Sequence, residues 1–279
     1  MYSGTTFTKF SGRIMGAHQK IDRVARNHLE KIIPVNTVFP KSSKILHFEG
    51  RKGPDAIKHK SPDKDEPVHF YSPFDDDDSS LIELINGHYN QLVNELKEKD
   101  PERVAFEAAW LAHAVVDGLT PAHHYPYQKE VDELWDGKDD NRDSKMKKLF
   151  PPAETKRGKI VKSWKYLGPK GLMSTHGLFE LGIAAIIAPL SINEAIPKDE
   201  DMVTAIEIGP REVFKRAARE IGVLDMYTRY QKNGWSTKLI VDVRQKLCPT
   251  IVQSVTLVWY LALVEAGLVK KPKIAKSNS

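Results

Sequence analysis

Two pairs of histidine and carboxylate recur at the spacing of one helical turn. His113 and Asp117 lie in Trp110-Leu-Ala-His-Ala-Val-Val-Asp-Gly, and His176 and Glu180 lie in Ser174-Thr-His-Gly-Leu-Phe-Glu-Leu-Gly. A spacing of four puts both side chains of a pair on one helix face, about 40° apart. Both pairs sit in apolar stretches, where an unpartnered imidazole or carboxylate carries a large desolvation cost. Two chemistries satisfy such groups: a hydrogen-bonded pair inside the core, or a metal ion held by nitrogen and oxygen. His123, just past Gly118 and Pro121, adds a third histidine near the first pair. Helical bundles build metal sites from inward-facing His and carboxylates on neighbouring helices, so two pairs with a further histidine favour the metal.

The elements that must position these residues are helical. Ile21, Val24, Ala25, Leu29 and Ile32 give Ile21 to Ile33 an apolar face. Ser79-Ser80 predicts an N-cap for a helix over Leu81 to Lys97, and Asp100-Pro101 predicts the start of one reaching about Asp117. A short helix is expected over Gln128 to Trp135, and longer ones over Leu172 to Ile187, Asp201 to Ile221 and Ser236 to Val269. The last should be bent or split at Pro249. Pro34 to Asp78 reads as irregular. Gly137 to Lys170 reads as charged loops, with Ile160 to Trp164 a short element at most. No alternating strand pattern persists, so the expected fold is one all-α, multi-helix bundle with long loops between helices.

Composition narrows the chemistry. The chain has 279 residues, 41% hydrophobic and 28% charged, as expected of a globular protein. Its single cysteine, Cys248, excludes an intramolecular disulfide framework and any multi-cysteine zinc knuckle. Any zinc must therefore be held by His and carboxylate. The net charge of +5 is unevenly spread: Lys41 to Lys60, Lys145 to Lys165 and Lys270 to Lys276 are basic, and Asp75 to Asp78 is acidic. Such patches are compatible with a phosphate-bearing partner, nucleic acid included. The N-terminal residues show no secretory signal, which by sequence points to the cytoplasm. Thr250 to Val269 is strongly apolar, but Gln253 and Glu265 interrupt it. It reads as a central bundle helix rather than a transmembrane span.

Other candidates lie upstream. Gly53-Pro54-Asp55 places an aspartate after a turn dipeptide, and His69-Phe70-Tyr71 follows fourteen residues after Asp55. Asp63 and Asp65 compete with Asp55. Gly16-Ala17-His18 stands directly before the first expected helix, where the histidine can also be a simple cap. His28, His47, His59 and His88 lack partner spacing and read as structural. Phe70, Tyr71, Tyr125 and Tyr127 could line a choline-type or base-stacking site, or only pack the loops.

Taken in order, His18, Asp55, His69, His113-x3-Asp117, His123 and His176-x3-Glu180 resemble the metal framework of the zinc-dependent phospholipase C and single-strand nuclease superfamily. The resemblance covers roughly residues 13 to 190, and beyond them only the apolar helices match. It implies two to three clustered zinc ions. Asp55, His69, His113 and Asp117 would hold one, and His123, His176 and Glu180 another. His18 would serve a third, with Asp117 bridging two ions. In the family an N-terminal tryptophan helps to bind that third ion, and here no tryptophan precedes Trp110.

The implied activity is that of a metal-binding hydrolase, a phosphodiesterase in which a zinc-activated water attacks phosphorus. Asp55 would act as ligand or as catalytic base. Glu180 and the fourteen-residue gap lean toward the phospholipase C branch, with phospholipid or another phosphodiester as substrate, met at a membrane surface. The alternatives are a single-strand nuclease of the same superfamily and a non-catalytic all-α metal-binding protein. The domain is expected to span residues 1–270, as a monomer, with 271–279 a basic, disordered tail. The family is often secreted.

Overall fold

The computed structural model describes residues 1, 16–49, 53–57, 69–135 and 151–272. Among these, every regular element is a helix and no strand occurs, as the patterning predicts. The chain runs through α1 (Ala17–Ile32), α2 (Ser42–Glu49), α3 (Pro54–Ile57), α4 (Ser80–Glu98) and α5 (Pro101–Gly118). A 3₁₀ turn (Pro121–His124) then leads to α6 (Tyr127–Leu134). The remainder comprises α7 (Lys156–Leu167), α8 (Leu172–Ile187), α9 (Asp199–Gly222), α10 (Met226–Asn233), α11 (Thr237–Asp242) and α12 (Cys248–Glu265).

The most apolar segment is the structural centre. α12 is buried along most of its length and packs against α1, α4, α5 and α9. Each large aliphatic or aromatic side chain buried in this way stabilises the fold by about 1.5–3 kcal/mol. The buried Trp259 indole also donates to the Ala108 carbonyl of α5 at 3.0 Å, so the ring is packed without an unsatisfied N–H. The Thr237–Glu265 stretch is long and apolar enough to cross a membrane, and 78% of its apolar window is buried within the fold. Pro249 cannot donate to the carbonyl four residues back, and a π-helical turn at Val243–Leu247 absorbs the mismatch. The helix therefore continues through Pro249 and is not split there.

Several expectations are corrected. α1 begins at Ala17 rather than Ile21, so His18 lies in its first turn and not ahead of it. The polar start hides this turn from a periodicity count. Ser79 forms no side-chain N-cap bond; its hydroxyl instead donates to Glu83 Oε1 at 2.9 Å. The irregular 34–78 region contains the eight-residue α2. Within 137–170, where loops are expected, α7 spans twelve residues, capped by the Thr155 hydroxyl accepting from Gly158 N at 3.0 Å. The earlier part of that span, His59, Asp63, Asp65 and most of the basic tail lie outside the described residues.

α5 carries the first His–Asp pair, and both of its ends are fixed. Asp100 accepts from the backbone N–H groups of Glu102 and Arg103 at 3.0 and 3.1 Å, as the Asp-Pro signal predicts. At the other end, Gly118 lets α4 and α9 approach the backbone beside Asp117. A Cβ there would stand 2.5 Å from Leu81 Cδ2 and 2.6 Å from Phe214 Cζ, both in fully buried side chains. Gly118→Ala should therefore lower stability by about 1–3 kcal/mol. Thermal unfolding of the variant checks this, and an unchanged midpoint would mean that α4 and α9 yield at this point.

Candidate metal centre

The site is built around α5. Four residues apart and one turn from the helix end, His113 and Asp117 point into the protein and are almost fully buried. α1 delivers His18, whose ring stacks on His113 with centroids 4.2 Å apart. The Asp117 carboxylate serves both rings: Oδ1 lies 3.2 Å from His18 Nε2, and Oδ2 lies 3.1 Å from His113 Nε2. Neither histidine nitrogen has a hydrogen-bond partner. The ligand atoms of His18, His113 and Asp117 lie within 4.8 Å of one another, close enough to converge on one ion.

The 3₁₀ turn after α5 brings in the second group. Thr120 closes the helix by donating from its hydroxyl to the Val116 carbonyl, and His123 N donates back to the Thr120 carbonyl. The His123 ring then stacks on His176 of α8, with centroids 5.3 Å apart. His123 Nε2 lies 3.0 Å and His176 Nε2 3.2 Å from Glu180 Oε1. These three residues form a second group of ligand atoms within 4.8 Å. The two groups adjoin, because His123 Nδ1 is 3.6 Å from Asp117 Oδ1.

The partners of the ring nitrogens orient the two inner histidines. His123 Nδ1 faces the Asp117 carbonyl at 3.0 Å, and a carbonyl can only accept, so Nδ1 carries the hydrogen. Nε2 is the nitrogen that faces the Glu180 carboxylate. Burial, with the nearby Met1 ammonium, lowers the His123 pKa. His113 is organised alike. Its Nδ1 faces both oxygens of Glu49, at 3.1 and 3.2 Å, which leaves Nε2 directed at Asp117. Burial opposes a charge on His113, but Glu49 and Asp117 outweigh it and raise its pKa well above the usual imidazole value.

The α-amine of Met1 is a further nitrogen at the centre, 2.7 Å from Asp117 Oδ1 and 3.3 Å from Glu180 Oε1. Burial works against ionised carboxylates here. The Met1 ammonium first, and then the surrounding histidines, nevertheless hold both Asp117 and Glu180 well below the usual carboxylate range.

Asp55 and His69 stand nearby but join neither tight group. Asp55 Oδ1 is 3.9 Å from His113 Nε2, and the His69 ring is 5.9 Å from that of His123. The 69–71 segment is tied to the site by Tyr71 N donating to the His123 carbonyl at 3.1 Å. The aromatics divide between the two expected roles. Tyr71 is buried against Phe214, a core residue. Phe70 stacks on Tyr127 at 5.6 Å, and Tyr127 lies 5.0 Å from His176, forming a wall on the second group. The Tyr125 hydroxyl donates to Glu130. Beside α8, a cavity of about 450 Å³ is lined by Glu130, Lys165, Lys170 and Thr175, the last adjacent to His176. His88 pairs with Glu107 at 2.7 Å, away from the centre, as its structural reading expects.

Sequence reasoning misses Glu49, which is fully buried and lies within 3.6 Å of His18 Nδ1 as well as touching His113. It has no spacing relation to any histidine, so no pattern could identify it. Asp22, one turn after His18 and also buried, has its pKa raised well above the usual carboxylate range by burial and the repulsion of Glu49. Comparison of the chain with family models, with curated proteins and with solved structures finds no match.

Carboxylates behind ligating histidines fix ring orientation and raise basicity, and losing one costs typically 10–100-fold in metal affinity. Glu49→Gln should therefore weaken zinc binding by about 10–100-fold while the protein stays folded. Competition against a chromophoric chelator measures this. Unchanged affinity would reduce Glu49 to a packing role.

Proposed function

We propose that the protein is a zinc-dependent phosphodiester hydrolase of the phospholipase C type. The observation that supports this reading best is the pair of adjoining groups, the buried His18–His113–Asp117 and the partly buried His123–His176–Glu180, in which imidazole nitrogens converge on carboxylates. Imidazole and carboxylate donors without cysteine suit zinc. His113 and Asp117, with His69 at the edge, would hold one ion, and His123, His176 and Glu180 a second. His18 and Asp117 would serve a third, with the Met1 amine as an added nitrogen donor. When bound, such ions supply Lewis acidity toward phosphoryl oxygens and lower the pKa of a coordinated water.

The chain's own groups have separate tasks. Glu49 holds the His113 ring in place and lies close to His18. Asp117 is nearly inaccessible to solvent, whereas Asp55 is 18% exposed beside His113 and is the carboxylate best reached by water. Asp55 is therefore assigned as the base. It takes the proton as the water oxygen bonds to phosphorus and the ester P–O bond breaks, and the proton passes on to the leaving alkoxide. Phe70 and Tyr127 shield the second group from bulk water and offer ring faces to a substrate.

Purified zinc-loaded protein should cleave a soluble phosphocholine ester and phosphatidylcholine. Asp55→Asn should lower kcat by about 10²–10⁴-fold with zinc content retained. His113→Ala and Glu180→Ala should each abolish turnover and lower the zinc content by metal analysis. Cleavage of single-stranded DNA alone would replace this reading with the nuclease, a substrate class that the basic composition also suits. Zinc binding without turnover of any of the three would leave a non-catalytic metal protein.

A further inference from the structure

α7 is amphipathic in the opposite sense to an ordinary surface helix. Its inner, half-buried positions against α8 are Gly158, Lys162, Ser163, Tyr166 and Leu167, and none of its residues is fully buried. Its most apolar side chains point outward instead: Ile160 is 70%, Val161 49% and Trp164 68% exposed. At spacings of three and four these share one face. A surface helix of a globular protein turns that face to the core. Five Lys and Arg side chains lie between Lys156 and Lys165, and from Lys156 to Gly171 no Asp or Glu occurs.

We propose that this face of α7 docks the protein on an anionic phospholipid bilayer. Apolar side chains including tryptophan, flanked by cations on long aliphatic stems, are what an interfacial helix presents to the boundary between headgroups and acyl chains. The positive charge complements the anionic leaflet, and the apolar trio has an environment there that a nucleic-acid backbone does not provide. The location also fits. The Tyr166 hydroxyl of α7 lies 3.4 Å from that of Tyr127, whose ring is 5.0 Å from His176, so a docked α7 sets the second ligand group close to the lipid surface. The docking gives the proposed phosphodiesterase its lipid source and rests on that reading for its purpose, but adhesion needs neither metal nor turnover.

Co-sedimentation of the full chain with vesicles tests it. The vesicles are phosphatidylcholine alone, or phosphatidylcholine with about one third phosphatidylserine. Binding to the anionic vesicles should be stronger, should weaken as salt is raised, and should shift tryptophan emission to the blue. The double variant Ile160→Ser/Trp164→Ser, altered only at exposed positions, should bind the anionic vesicles at least ~10-fold more weakly while hydrolysing a soluble phosphodiester at the native rate. His113→Ala should still bind vesicles, so that a failure of the hydrolase reading stays separable from a failure of docking. Equal binding by native protein and the double variant would overturn the proposal. So would indifference to phosphatidylserine, or Trp164-dependent binding of single-stranded DNA with no affinity for vesicles.

Discussion

The centre depends on one buried carboxylate. Asp117 lies at the end of an apolar helix, where an ionised group is stable only if positive charge or strong donors surround it. Its two oxygens divide this work. One faces His18, His123 and the Met1 amine, and the other faces His113. Its backbone carbonyl accepts from His123 Nδ1 and so turns Nε2 of that ring toward Glu180. Three segments far apart in the chain therefore converge on one residue. The packing of α1 and α5 against α12, with α8 laid against α1 and the 3₁₀ turn after α5, can be understood as the scaffold that makes this convergence possible.

The rest of the fold keeps the carboxylate from moving. Asp100 fixes the start of α5, the Thr120 hydroxyl closes its end, and Gly118 lets two other helices press against the backbone next to Asp117. Behind the rings, Glu49 restrains His113 and lies close to His18. A site built this way needs little reorganisation when it takes up a ligand, the condition under which electrostatic stabilisation is most effective.

Local patterns made much of this readable. The i, i+4 pairs, the Asp-Pro start and the apolar α12 are local features, and local features survive in sequence. Leu172–Ile187 appears with the boundaries that its apolar run indicates. Long-range partnerships left no such trace. Glu49 reaches His113 across 64 positions, and nothing around it marks it as special. His18 looked like a residue ahead of a helix because the first turn of α1 is polar. α7 was unreadable for a different reason. Its apolar residues face away from the protein, so the usual inference from apolar face to buried face has the wrong sign there.

The connection between α2 and α3 joins the two acidic groups nearest His113. Gly53 packs so tightly on the α2 terminus that a Cβ would stand 2.1 Å from the Glu49 carbonyl oxygen. Glu49 on one side of the ring and Asp55 on the other thus flank His113 from positions close in the chain. Any side chain at position 53 would push against the end of α2 and so disturb both acidic neighbours of His113 at once.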